Sequence, residues 1–142
     1  MKKGVKTGLL SLLLCGVLLA AYQGTRGGGD VSQAAVTPVE SALYSASDLD
    51  AAADTVLRYF QEEFEGCTLR ELHYIGDGAA EQFAEWAEQY GVEEAVVLLS
   101  SFDVDASGGD GSLNPHETYK DWQWVLGRSA GGAWEHLTHG YG

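Results

Sequence analysis

Ala95-Val96-Val97-Leu98-Leu99 and Tyr119-Lys120-Asp121-Trp122-Gln123-Trp124-Val125-Leu126 decide how this chain folds. The first run is apolar at every position, so both of its faces need cover, as in an interior strand with a helix laid over it. The second alternates, with Trp122, Trp124 and Leu126 on one side and Asp121, Gln123 and Val125 on the other. Between them, residues 103–115 are rich in Gly and Asp and read as a long hairpin loop. Ser129-Ala130-Gly131-Gly132 is a second turn signal, after which Trp134-Glu135-His136-Leu137-Thr138-His139 returns as a last strand. The stretch 93–141 therefore predicts a three-stranded antiparallel meander that walls the single core, with 94–104 as the middle of the sheet.

The residues before it supply the cover. Ser47 is placed to cap a helix in which Leu49, Ala52, Ala53, Val56, Leu57, Phe60 and Phe64 recur at three- and four-residue spacing, and Gly66 ends it. Residues 68–75 alternate as a strand, with Leu69, Glu71, His73 and Ile75 on one face and Arg70, Leu72 and Tyr74 on the other. Gly76-Asp77-Gly78 turns the chain into a second helix over 79–90, with Ala80, Phe83, Trp86, Ala87 and Tyr90 along one stripe and Gly91 as its stop. Two amphipathic helices and about four strands make an α+β domain over 46–142.

Upstream of that domain the composition changes twice. Residues 1–21 read as an export signal: Lys2, Lys3 and Lys6 form a positive start, and 9–19 is an apolar run shorter than the ~20 residues a spanning helix needs. Leu19-Ala20-Ala21 has the residue sizes that precede the lipidated cysteine of bacterial lipoproteins, but Tyr22 follows and has no thiol to lipidate. Cys15 has a thiol, yet Leu14 stands before it where a small residue is needed, so no lipid is expected at either position. Residues 22–45 are poor in large apolar side chains and read as a flexible linker. The expected address is outside the cytoplasm, secreted or loosely held at the cell surface, with membrane contact only through an uncleaved leader.

Charge narrows the partners. The formal charge is −13, and three of the eight basic residues lie in the leader while all 21 acidic ones lie beyond it. Nucleic acid is excluded as a partner, since it selects basic surfaces, and a small molecule or a cell-surface protein is expected instead. Beyond the leader Cys67 is the single cysteine; it has no basic neighbour in sequence and reads as a small buried hydrophobe.

Several constellations carry chemistry in principle. His73 with Glu71 on one strand face, and Asp103, are the candidates for acid–base work. Asp103, Asp105 and Asp110 open a calcium-type loop, but its twelfth position is Asn114 where a bidentate Glu belongs, so no metal is expected. His136 and His139 have helical zinc spacing in a strand context, where residues three apart point to opposite faces. Trp122, Trp124 and Trp134, with Tyr119 and Tyr141, form an aromatic group suited to core filling or to a ligand wall. No phosphate loop, Gly-x-Ser-x-Gly elbow or paired-cysteine site occurs, and no cofactor is expected.

Five segments carry a resemblance: Phe64-Glu65-Gly66-Cys67-Thr68-Leu69, Trp86-Ala87-Glu88-Gln89-Tyr90-Gly91, Leu98-Leu99-Ser100-Ser101-Phe102-Asp103-Val104-Asp105, Gly108-Gly109-Asp110-Gly111-Ser112-Leu113-Asn114-Pro115 and Trp122-Gln123-Trp124. Over residues 45–142 the chain resembles a family of small exported lipoproteins of gut-dwelling Gram-positive bacteria, from which it departs at Tyr22. The resemblance implies a cystatin-like, ketosteroid-isomerase-like cone, a helix wrapped by a curved antiparallel sheet, and brings no known activity. The function expected from all this is a non-catalytic binding or accessory module of the bacterial cell surface. The alternatives are an isomerase- or dehydratase-like enzyme using a pocket in the cone, and a calcium-binding surface module working through the 103–115 loop.

Overall fold

The apolar run at 95–99 lies where its composition demands, in the middle strand of a sheet. The computed structural model describes residues 28–141, in the order β1 (Ala35–Thr37), α1 (Ala46–Glu63), β2 (Cys67–Tyr74), a 3-10 turn (Asp77–Ala79), α2 (Ala80–Tyr90), β3 (Glu94–Val104), β4 (Thr118–Arg128) and β5 (Glu135–Gly140). The sheet order is β1-β2-β3-β4-β5, open at both edges, with β1 parallel to β2 and every other pair antiparallel. The expected α+β class holds, two helices packed on a mostly antiparallel sheet, but the described residues form five strands where about four were expected. The extra one is β1.

That strand falls in the stretch read as a flexible linker. From Gly28 onward the stretch is laid against the domain: Gly29 N donates to Gln61 O, Asp30 N to Cys67 O and Leu69 N to Asp30 O, and Val31 is buried. Farther along, Asp77 accepts from Ser41 Oγ, Ala42 N and Tyr74 Oη, and Tyr44 Oη donates to Ala95 O. Backbone pairing and the side chains of Ser41, Tyr44 and Asp77 hold these residues, which is why low hydrophobicity misread them. Residues 1–21, read as an export signal, with Cys15 and Tyr22, lie outside the described residues. No helix among the described residues is long and apolar enough to cross a membrane.

α1 starts two residues earlier than Ser47 predicts. Ser45 is in extended conformation, its hydroxyl accepts from Asp48 N at 3.0 Å, and its own N–H donates to Asp48 Oδ2, a capping box one step ahead of the first apolar residue. Its Ala52, Ala53, Val56 and Phe60 are buried as the stripe requires. α2 ends as expected at Gly91, left-handed at φ 66°, whose N–H returns to Ala87 O and Glu88 O. Gln82 Nε2 donates to Gln123 Oε1 at 3.1 Å, which ties α2 to the sheet face opposite Trp124.

Three bulges set which side chains face α1. One extra residue in β2 between Leu69 and Glu71 puts Leu69, opposite Phe102, on the same face as Leu72, opposite Ser100; simple alternation separates them. A second lies in β4 between Tyr119 and Trp122, where Asp121 has φ 55°. The third is in β5, where Val125 and Leu126 face Thr138 and His136. On the α1 face Phe60, Phe64, Phe102 and Trp124 pack ring against ring, and Trp124 Nε1 donates to Ser100 Oγ at 2.8 Å, so its N–H is satisfied inside the core. Of the apolar positions on the predicted helix stripes and interior strands, Val56, Phe60, Phe64, Phe83, Val97, Trp124 and Leu126 are buried, while Leu49 and Leu99 are half-buried.

Candidate functional site: an aromatic cavity at the end of α1

Where α1 ends, the chain must turn back into β2, and the sheet is left uncovered beyond the last helical turn. The gap is roofed by the loop after β3. A cavity of about 200 Å³ remains, walled by Tyr59 and Phe64 from the end of α1, Cys67 from β2, Trp122 from β4, His139 from β5 and Leu113 from the loop. Its walls are rings: Trp122 and His139 lie 5.8 Å apart and Phe64 and His139 5.2 Å apart, while the exposed Tyr141 packs against Trp122 without lining the cavity.

The histidines are the first finding that sequence spacing misses. His136 Nε2 and His139 Nδ1 are 2.9 Å apart, and His136 stacks on Tyr59 at 3.8 Å. Alternation sends residues three apart to opposite faces, but the β5 bulge adds one residue to the count, so His136 opposite Leu126 and His139 opposite Trp124 share the α1 face. The bulge has a partner in sequence. Leu137 lies over Gly127, where a Cβ would come within 2.7 Å of Leu137 Cδ1, so a glycine inside β4 makes the room. Burial lowers the pKa of both rings, that of His136 to about 4 with a further contribution from the neighbouring ring. At neutral pH both are uncharged, one donating to the other.

Trp122 is the second finding. Its indole Nε1 is buried and has no hydrogen-bond partner, whereas the indoles of Trp124 and Trp134 are satisfied by Ser100 Oγ and Asp48 O. A buried donor left without an acceptor costs about 1–3 kcal/mol, so a group that supplies one is bound with that advantage. The other unpartnered buried donor among the described residues, Gln61 Nε2, does not line the cavity. A larger cavity of about 370 Å³ lies between β1, the first half of α1 and His73, but no unpartnered buried donor lines it.

The remaining candidates take other places. Trp124 is behind the cavity, in the core. Trp134, just ahead of β5, is buried beneath the Arg128 guanidinium, 4.1 Å from its ring, and Arg128 binds Glu94 and Asp48, so this tryptophan ties the start of β5 to α1 and does not line the cavity. Tyr119 stacks on Phe102, and its hydroxyl accepts from Asn114 N. Asp103 is engaged by Arg70 Nε and Thr118 Oγ1, both at 2.6 Å, Glu71 is exposed, and His73 lines the larger cavity, so these three do not form one site. Asp105 and Asp110 each turn back on their own loop, to Ser107 and Ser112. Among the described residues no three His, Cys, Asp or Glu side chains converge on a point fit for a metal ion. Burial, with Asp105 and Asp110 nearby, pushes the Cys67 thiol up to about 11, so it stays protonated and unreactive.

The chain matches no protein-family model, no curated protein and no solved structure.

Proposed function

We propose that the protein is a non-catalytic binding module of the bacterial cell surface, and that its ligand is a small molecule held in the cavity at the end of α1. The observation that carries the reading is Trp122, whose side chain lines a ring-walled cavity and whose buried indole N–H has no acceptor among the described residues. Such a site offers apolar area to a ligand and one directional bond to orient it. The positive start and apolar run within residues 1–21 support export, and the acidic composition supports a partner other than nucleic acid.

The His136–His139 pair favours an acid–base enzyme as the second reading. Its chemistry is weak support, because a ring whose pKa is lowered to about 4 is a poor base at neutral pH. Among the described residues no carboxylate bonds to either ring, and the two rings bond to each other.

Indole-resolved NMR tests the binding reading. A fragment set is titrated into protein labelled with ¹⁵N at its indoles. Ligands that carry a carbonyl or ether oxygen are expected to move the Trp122 resonance and leave Trp124 and Trp134 in place. Trp122→Phe keeps the ring and removes the donor, and it is expected to weaken those ligands about 2- to 10-fold. Fragments that bind without moving Trp122, or bind Trp122→Phe equally well, would refute the reading. Deuterium exchange into a bound ketone, lost in His139→Gln, would favour the enzyme.

A further inference from the structure

The cavity carries a charge pattern that the binding reading leaves unused. Glu63, Glu65 and Asp110 stand among its lining residues, and among the described residues no Lys or Arg does. All three carboxylates are exposed at the mouth, while the rings of Tyr59, Phe64, Trp122 and His139 form the interior. Arg70 binds Asp103 and Gln33, and Arg128 binds Glu94 and Asp48, so neither guanidinium serves this cavity. An anion entering here meets three like charges, whereas a cation meets carboxylates outside and the negative faces of aromatic rings within.

Resting on the proposal that this cavity binds a small molecule, we infer that the ligand is an organic ammonium compound with a hydrogen-bond acceptor. Its cation lies among the rings behind Glu63, Glu65 and Asp110, and its acceptor meets Trp122 Nε1. Two wall groups already register the local field. The Tyr59 phenol is raised first by burial and then by Glu63, and the Cys67 thiol is raised first by burial and then by Asp105 and Asp110. Both shifts oppose new negative charge in the cavity. The neutral state of His139, lowered by burial, keeps the back wall from repelling a cation.

Three probes of similar shape separate the charge from the cavity: acetylcholine, its uncharged isostere 3,3-dimethylbutyl acetate, and monomethyl succinate. Each carries an ester oxygen for Trp122, and they differ in charge at the far end. Binding is read from the Trp122 indole resonance at low salt and again at 0.5 M sodium chloride. Acetylcholine is expected to bind at least 10-fold tighter than the neutral ester, and monomethyl succinate to bind weakest. Glu63→Gln with Glu65→Gln, and Asp110→Asn alone, should each narrow the gap between acetylcholine and the neutral ester and flatten the salt dependence. These side chains are exposed, so the variants should fold. Equal or tighter binding of the neutral ester or of monomethyl succinate overturns the inference about charge while leaving the cavity as a binding site. Failure of acetylcholine to bind while fragments still move Trp122 overturns it as well. Failure of every compound to move Trp122 overturns the binding reading itself.

Discussion

Replacing Gly29 by Ala tests whether the residues ahead of α1 are part of the fold. A Cβ at Gly29 would stand 2.3 Å from Phe60 O and 2.6 Å from Phe60 Cδ1, distances that real Cβ atoms do not show. Phe60 is wholly buried among Phe64, Phe102 and Trp124 and has nowhere to go. Two responses are open. Local shifts to admit one methyl in a packed site cost about 1–3 kcal/mol. Undocking the segment instead loses about 1.5–2 kcal/mol of Val31 burial and about 1 kcal/mol for each of three backbone hydrogen bonds, offset in part by the entropy its backbone regains. The cheaper response sets the outcome, so a loss of about 1–3 kcal/mol is expected, or about 4–12 °C in Tm for a domain of this size. The control is Gly78→Ala, where an added Cβ meets nothing within 4 Å. Thermal melts give the magnitude, and amide exchange at Leu69, whose N–H is bonded to Asp30 O, reports docking. A Gly29→Ala protein that melts with the control and keeps the Leu69 amide equally protected would refute the reasoning.

Three further outcomes are expected. The unfolded chain protonates its histidines from pH 6.5 downward while native His136 stays neutral to about pH 4, so stability is full above pH 6.5 and falls with pH through that window. With solvent screening at these half-exposed rings the loss is about 1–2 kcal/mol, and urea midpoints at pH 7 and pH 5 should differ in the native sequence but converge in His136→Gln with His139→Gln. Phe60→Ala removes the ring at the centre of the core and should cost about 3–5 kcal/mol; an unchanged denaturation midpoint would count against helix-on-sheet packing. Cys67, buried and held protonated, should react with iodoacetamide in the native protein only at the rate of unfolding, and rapid native labelling at pH 7 would contradict its burial.

Sequence alone determined the class of the fold and the identity of its central elements. The stripe from Ala52 to Phe60 and the apolar run at 95–99 are local patterns with a fixed period, and periodicity is a property of one segment read by itself. Trp122 and Trp124 were legible as sheet residues for the same reason, and Trp122 alone of the expected ligand tryptophans lines the cavity. Tertiary structure decided what depends on a second segment. Each bulge moves one residue into or out of the alternation, and only the opposite strand shows where that happens: this turned Leu69 inward and brought His136 to His139. Gly127 was the one local trace of the last bulge. The glycines ahead of α1 look like a tether in composition, yet they lie against Phe60 and Gln61 because lacking a Cβ lets backbone approach backbone. Two tryptophans with the same alternation received different fates, the Trp124 indole a buried hydroxyl at Ser100 and the Trp122 indole no acceptor among the described residues, because hydrogen-bond satisfaction belongs to the packed environment and to no single residue.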